Sequence, residues 1–257
     1  MMAIVAILVS LLLPVISKVK FQANLMTCRN NLRQIGLAAQ VYVTTHEAYP
    51  PMTSLGTGDQ PVLPWSRLLD LAEPYGGHPP GQRNSVFRCP FYRGVQAQDP
   101  TARVYLAQYA YNVWGVGMWY HRLGLGGYMT NVAVAGFPMA PLITVEPTRE
   151  SAVLAPSDMI GFGDAFNRSP DPRSDGAASI GETFGPKVMN HGALISTVPY
   201  KEQVSFRNHR GRFNRWFSDG HLETEDLNRP FRGTDDQLRR WNVDHQPHGD
   251  LWRSFVW

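Results

Sequence analysis

The sequence has few cysteines and no strong charge of either sign. Only Cys28 and Cys89 occur in 257 residues, and the absence of a Cys-x-x-Cys spacing argues against a structural zinc site built from thiolates. The formal net charge is +3, with acids and bases mixed along the chain, so composition provides no electrostatic attraction to nucleic acid. Charged residues make up 18% of the chain and hydrophobic residues 43%, which excludes general disorder.

The common catalytic motifs are also missing. The chain contains no Gly-x-Ser-x-Gly nucleophile elbow, no His-Glu-x-x-His zinc motif and no phosphate-binding loop. The glycine-aromatic stretch 115–127 lacks the preceding strand and following helix of a nucleotide-binding fingerprint. We therefore expect a protein that is not an enzyme, with no catalytic residues and no bound cofactor.

The first 16 residues, MMAIVAILVSLLLPVI, carry no charge. A helix of this length rises about 24 Å, less than the roughly 30 Å hydrocarbon core of a bilayer. Positive charge follows this run, at Lys18 and Lys20, and no Ala-x-Ala cleavage site comes after it. A cleaved signal peptide is therefore a poor fit, and residues 1–16 are predicted to be the membrane-inserting start of a longer helix.

An amphipathic helical pattern continues directly from the apolar run. Apolar residues recur three or four positions apart, at Leu25, Cys28, Leu32, Ile35, Ala39 and Tyr42. Pro14 is expected to kink this helix, and the Tyr-Pro-Pro at 49–51 to end it. The pattern predicts one helix reaching about Thr45 within a segment 1–48, followed by a β-rich head over 49–257.

Beyond residue 51 the helical period disappears, and short apolar segments alternate with turn residues. The candidate strands are 86–89, 108–112, 159–163, 213–217 and 222–224. A short helix is predicted at 65–71, and residues 181–200 are predicted to be a loop or insertion. The fold class expected from these patterns is α+β, with a long N-terminal helix packed on an antiparallel sheet that has long loops.

Asp219-Gly220 predicts a hairpin turn. An Asp-Gly pair between alternating residues is typical of a two-residue type I′ loop. Such a loop would pair Phe217 with Leu222. Phe213, Phe217 and Leu222 would then share the core face, and Trp216 would lie on the opposite face.

Three residues near this hairpin, His209, Asp219 and His221, form a candidate metal site. Imidazole nitrogen and carboxylate oxygen are a plausible ligand set for a divalent metal, nearer to zinc than to calcium, and Asp164 could join them. The alternative is that His209 hydrogen-bonds a backbone carbonyl or the turn carboxylate and locks the loop. Both interpretations remain open on the sequence.

Residues 206–217 interleave four arginines with four aromatic side chains. This is the composition of a platform for single-stranded nucleic acid, but it also fits an ordinary strand with core aromatics and solvated arginines. The acids Glu223, Glu225 and Asp226 would lie beside Arg215 across the hairpin and weaken its field. We therefore expect no nucleic-acid partner.

The two cysteines allow two interpretations. If the head lies outside the cytoplasm, Cys28 and Cys89 are candidates for a disulfide that closes a long loop, worth roughly 3–4 kcal/mol in the chain-entropy model. The alternative is two buried thiols with no bridge. The sequence favours neither.

The order of several short motifs resembles the prepilin-type, processing-associated H-X9-DG family, whose members look like oversized pseudopilins. The motifs are the apolar helix, CRNNLRQIGLA, Tyr-Pro-Pro at 49–51, Arg88-Cys89-Pro90, 109–112, 161–164, His209 with Asp219-Gly220-His221, 239–244 and 246–248. The leader, cleavage glycine, first phenylalanine and fifth-position glutamate of prepilin precursors are not in the printed sequence. We therefore expect that Met1 is an internal methionine with further residues upstream.

The resemblance implies a pilin-like fold and a structural function. The helix would insert in the inner membrane, and the head would lie in the periplasm or at the surface. The chain would polymerise with itself or with other pseudopilins of a type II secretion or type IV pilus-like system, after processing and methylation by prepilin peptidase if the leader exists. The rival interpretation is a membrane-anchored extracytoplasmic module that binds a glycan or another envelope ligand through the Trp/Tyr-rich loops at 105–128.

Overall fold

The fold is that of a long helix packed on an antiparallel sheet, so the predicted α+β class is confirmed. The computed structural model describes residues 2–52, 65, 68–69, 86–87, 89–91, 109–117, 121–132, 142–164, 209–226, 229 and 232–253. The helices are α1 (Met2–His46), α2 (Asp235–Leu238) and α3 (Gly249–Arg253). The strands are β1 (Tyr109–Tyr111), β2 (Tyr128–Val132), β3 (Leu142–Glu146), β4 (Ile160–Asp164), β5 (Arg212–Phe217) and β6 (Leu222–Asp226). Short 3₁₀ turns occupy Glu150–Ala152 and Arg239–Trp241.

The described part of the head contains two antiparallel sheets. The larger one has four strands in the order β1-β4-β5-β6, and β2 and β3 pair as a separate two-stranded sheet. Helix α1 packs on β4 and β5, the two central strands of the larger sheet. The main hydrophobic core therefore lies between the second half of α1 and this sheet.

The predicted apolar face of α1 is confirmed. Five of its six members are buried and the last is half-buried: Leu25, Cys28, Leu32, Ile35, Ala39 and Tyr42. The helix runs through Pro14 and ends at His46, one residue beyond the predicted end. Glu47 then takes a left-handed φ of 54° while its N–H still donates to the carbonyl of Val43 at 2.7 Å, which turns the chain away from the helix axis.

Trp216 joins the helix to the sheet. Its side chain is 1% exposed. A Cβ atom at Gly36 of α1 would lie 2.2 Å from its Nε1, and one at Gly161 of β4 would lie 2.8 Å from its Cε3. Helix and strand can both approach the indole ring this closely because each presents a glycine.

The β5–β6 hairpin differs from the predicted one. Trp216 pairs with Leu222, so the prediction that Phe217 pairs with Leu222 is wrong. Gly220 donates its N–H to the carbonyl of Phe217 at 2.8 Å and has a φ of 98°. The connection is thus longer than two residues and is closed by a left-handed glycine, as in hairpins with a G1 bulge.

This register buries both faces of β5. Trp216 faces α1, so its predicted position opposite the core is wrong. Phe213 and Phe217 are buried as predicted, but in a second cluster on the other side of the sheet. That cluster contains Ile160 and residues of the C-terminal segment, including Trp241. The C-terminal segment therefore covers the sheet face that α1 leaves open.

Four of the five predicted strands correspond to β1, β4, β5 and β6. The prediction at 86–89 is wrong in its described part, because Val86 and Phe87 lie in a turn and Cys89 has no regular structure. Within the predicted helix 65–71, the described residues 65, 68 and 69 are helical. The loop predicted at 181–200 lies outside the described residues, and β2 and β3 were not predicted.

Candidate functional site

Residues 10–20 of α1 carry an exposed apolar surface. Every residue from Ser10 to Lys20 is exposed. Six large apolar side chains there are each 55–65% exposed, and we call them the apolar helix surface: Leu11, Leu12, Leu13, Val15, Ile16 and Val19. In the part of the chain that the structure describes, no helix combines the length and hydropathy of a membrane span.

A second candidate site is buried where α1 meets the head. It comprises Cys28 of α1, Cys89, His209 and Asp164 at the end of β4, and we call it the thiol–histidine cluster. The two Sγ atoms lie 3.0 Å apart, and Nε2 of His209 lies 3.3 Å from Sγ of Cys89. No bond joins the two sulfur atoms in this structure. All four residues are buried.

Asp164 holds His209 from the other side of the ring. Its Oδ2 accepts a hydrogen bond from Nδ1 of His209 at 2.9 Å, and two more from the backbone and side-chain nitrogens of Asn214 at 2.8 and 3.0 Å. Oδ1 of Asp164 is buried and has no hydrogen-bond partner among the described residues. The strand partners β4 and β5 therefore fix the carboxylate, and the carboxylate orients the imidazole.

The environment of the cluster shifts two pKa values. Burial opposes the charge on His209, but the Asp164 carboxylate and the contact with Cys89 outweigh it and raise the pKa of His209 to about 10. The hydrogen bond with Cys28, together with burial, raises the pKa of the Cys89 thiol well above its ordinary value. At neutral pH the cluster thus holds an imidazolium paired with a carboxylate, beside a thiol that ionises poorly.

The structure does not bring together the three residues of the predicted metal site. Asp219 and His221 are neighbours in the turn, with Oδ1 and Nδ1 2.6 Å apart. His209 lies at the opposite end of β5, and a strand of this length spans roughly 20 Å. The predicted convergence failed because β5 separates the two ends of the motif. Of the alternatives weighed for His209, a carboxylate hydrogen bond is present, but the carboxylate belongs to Asp164.

Sequence reasoning weighed Cys28 and Cys89 as a pair but did not connect them to His209. Cys89 and His209 are 120 positions apart in the chain, and no short-range spacing marks their contact. The turn residue Gly220 also has a partner that was not foreseen, since its backbone lies against the side chain of Gln40 on α1.

The arginine-aromatic strand is paired with acids, as predicted. Arg215 is 1% exposed and forms ion pairs with Glu223 and Glu225 of β6. Its guanidinium lies 5.2 Å from the ring centre of Phe217, and that of Arg240 lies 4.8 Å from the same ring. These cations are thus engaged inside the head.

A shallow groove of about 260 Å³ lies near the loops of the rival interpretation. Arg122, Tyr128 and Glu146 line one side of it. The guanidinium of Arg122 sits 4.3 Å from the ring centre of Tyr128 and donates to Oε2 of Glu146 at 2.9 Å. This exposed combination of an aromatic ring with charged groups could contact a polar ligand.

A family model whose description reads "Protein of unknown function (DUF1559)" matches residues 23–76. The matched segment begins in α1 just before its docked half and continues past the end of the helix. No curated protein matches the chain, and no solved structure matches it.

Proposed function

We propose that the protein is a pseudopilin-like structural component of a type II secretion or type IV pilus-like system. Its N-terminal helix inserts in the inner membrane, its head lies outside the cytoplasm, and the chain assembles with copies of itself or with other pseudopilins. The proposal assigns no catalytic role and no cofactor. The observation that carries it is the apolar helix surface on the first half of α1.

The exposed apolar side chains supply the driving force for association. Each is a little over half exposed, and covering it stabilises a complex by about 1–2 kcal/mol, since fully burying such a side chain contributes about 1.5–3 kcal/mol. A contiguous apolar patch on a protein surface is typical of protein–protein or membrane contact. Either neighbouring helices or lipid tails would cover this apolar surface.

The continuity of α1 favours assembly over simple anchoring. The exposed half and the half docked on the sheet belong to one helix, from Met2 to His46. The described helix contains no loop that would let the head swing independently. Packing the exposed halves side by side would therefore set the positions of the heads, which is what a filament subunit requires.

Charge reversal on the apolar helix surface tests the proposal. Leu12→Lys places a cation among the five other side chains of the apolar helix surface, and a lysine at the centre of a membrane helix costs about 2.5–3.5 kcal/mol. We expect loss of sedimentable filaments and of membrane association in cells. The matched control is Leu12→Ile, which keeps the apolar surface and should assemble like the parent.

Both Leu12 variants should keep the thermal midpoint of the isolated protein, because Leu12 is 55% exposed and lies outside both core clusters of the described residues. Assembly of Leu12→Lys at the parental level would refute the proposal.

The groove beside Arg122 and Tyr128 favours the rival function, a binding module for a glycan or another envelope ligand. Tyr128→Ala separates the two functions. The rival predicts that this change abolishes glycan-array binding by the detergent-solubilised protein and that Leu12→Lys does not. Assembly through the helix predicts filaments that tolerate Tyr128→Ala and fail with Leu12→Lys.

A further inference from the structure

We infer that Cys28 and Cys89 form a disulfide that cross-links α1 to the head in the mature protein. The inference rests on the proposed function in one respect, since it requires a head that folds outside the cytoplasm, where disulfides persist. It adds a covalent connection between the assembling helix and the domain that the helix carries.

The geometry of the two thiols supports a bond within the chain. Their Sγ atoms are already 3.0 Å apart, and a disulfide needs them to move to about 2 Å. Cys28 is 0% exposed and Cys89 is 5% exposed, so a cysteine of another molecule cannot reach either one. These are also the only cysteines of the sequence, which leaves each with a single possible bonding partner.

The rival use of the same atoms is a metal site. Cys28, Cys89 and His209 bring three possible ligand atoms within 4.8 Å of one another. Two thiolates on one zinc ion, each bonded at about 2.3 Å in tetrahedral geometry, lie about 3.8 Å apart. The observed separation of 3.0 Å is shorter than that, so the sulfurs are placed better for bonding to each other than for sharing a metal.

The position of the bridge determines what it would do. Cys28 lies near the point where α1 passes from exposed to buried, and Phe21, one of the first partly buried residues, packs against Phe91 in a tilted arrangement with ring centres 5.1 Å apart. Beyond this point the helix is held to β4 and β5 by non-covalent packing. If a force acts on the exposed half of α1, a covalent bond at Cys28 would transmit it to the head before it reaches the non-covalent contacts further along the helix.

The oxidation removes two electrons and two protons from the pair of thiols. A dithiol oxidoreductase in its disulfide form is the co-reactant. One thiolate of the protein attacks the oxidoreductase disulfide, and the second thiolate then attacks the mixed disulfide, releasing the oxidoreductase as a dithiol. Because both cysteines are buried in the folded protein, the reaction must occur while the helix docks, and the finished bridge would be protected from reductants.

Peptide mapping of the full chain detects the disulfide directly. Protein exported across the inner membrane is quenched in acid, denatured, alkylated without reductant and digested with trypsin. We expect a linked pair of peptides, 21–29 and 89–93, that separates on reduction. Cys28→Ser is the matched control, and its remaining thiol should be fully alkylated.

A second measurement is independent of any variant. Exported protein that is reduced in denaturant and refolded with reductant present should have a thermal midpoint roughly 10 °C below that of the oxidised protein, from the loop-closure entropy of a 60-residue loop in a protein of this size. The Cys28→Ser control should show no shift with reductant.

Two results would overturn the inference. One is alkylation of both cysteines in the exported chain. The other is co-purification of a stoichiometric metal with both cysteines reduced, which would establish a Cys₂His site in place of the bridge. Failure of the proposed function is separate from either result, since a bridged chain whose assembly tolerates Leu12→Lys would refute assembly through the apolar helix surface and leave the disulfide in place.

Discussion

The two halves of α1 have the same secondary structure and opposite environments. From Ser10 to Lys20 every residue is exposed, whereas the face from Leu25 to Val43 is buried against the sheet. Both halves contain many apolar residues, so their mere presence does not account for the difference. The periodic arrangement of the apolar residues does, because a one-sided pattern matches one partner surface and a continuous run needs partners on every side. The second half forms the core with the sheet, and the apolar side chains of residues 10–20 stay exposed.

Replacing Trp216 should destabilise the packing of the docked half of α1 on the sheet more than the other substitutions below. Trp216→Ala leaves a cavity between Gly36 and Gly161, and large-to-small core changes of this kind cost about 3–5 kcal/mol. The free energy of unfolding from denaturant titration measures the loss. Trp216→Phe fills part of the space and should recover part of the stability, whereas equal losses for both variants would show that ring size is not what the site requires.

The docked half should also depend on pH through His209. Its pKa is raised from 6.5 to about 10 in the folded state, so its contribution is fully present below pH 6.5 and is lost as the pH rises through 10. The ionisable groups nearby are Asp164, Cys89, Cys28 and Tyr109. We expect the stability of the parent to fall by a few kcal/mol relative to His209→Gln over this window.

Unfolding titrations at several pH values provide the measurement. Subtracting the His209→Gln profile removes the background titration of tyrosines and lysines. Parallel profiles for parent and variant would mean that His209 is neutral in the folded protein.

A smaller effect is expected from replacing Gly36 by alanine. The sign of this effect should be opposite to that of the same replacement in an exposed helix. In an exposed helix, replacing glycine by alanine stabilises by about 1 kcal/mol. At Gly36 the added Cβ would meet Trp216 at 2.2 Å, and overpacking of this kind costs about 1–3 kcal/mol. Gly36→Ala should therefore lower the thermal midpoint. A rise would show that the indole ring can shift away.

The smallest effect is predicted for the exposed half. Leu12→Ala and Val19→Ala should each change the free energy of unfolding by less than about 0.5 kcal/mol, as surface substitutions usually do. Leu32→Ala on the buried face is the matched control and should cost about 2–5 kcal/mol. Similar losses at positions 12 and 32 would remove the distinction between the halves.

The helix and most of the larger sheet could be predicted because their signals are local. The three-and-four spacing from Leu25 to Tyr42 identified the buried face of α1, and short apolar segments marked β1, β4, β5 and β6. Strand β3 was missed although its sequence Leu142–Glu146 is rich in β-branched residues, so a readable signal was present.

The candidate site could not be predicted because its contacts are distant in sequence. An Asp-Gly pair is compatible with two hairpin loops, and the choice between them depends on Trp216 fitting between glycines of α1 and β4. Likewise, His209 meets Cys89 and Asp164 only because the sheet and helix bring three remote segments together. Local patterns identified these residues as candidates but did not identify their partners.

The number of residues between His209 and Asp219 should vary only in even steps, because the side chains of β5 alternate between two buried faces. Between the turns that carry these residues, β5 alternates its side chains, with Trp216 toward the helix and Phe217 toward the C-terminal segment. Inserting one residue into the strand would exchange the two faces, whereas inserting two would lengthen it and keep both. Proteins that share this hairpin should therefore vary the intervening length in steps of two, and odd changes should require a compensating bulge.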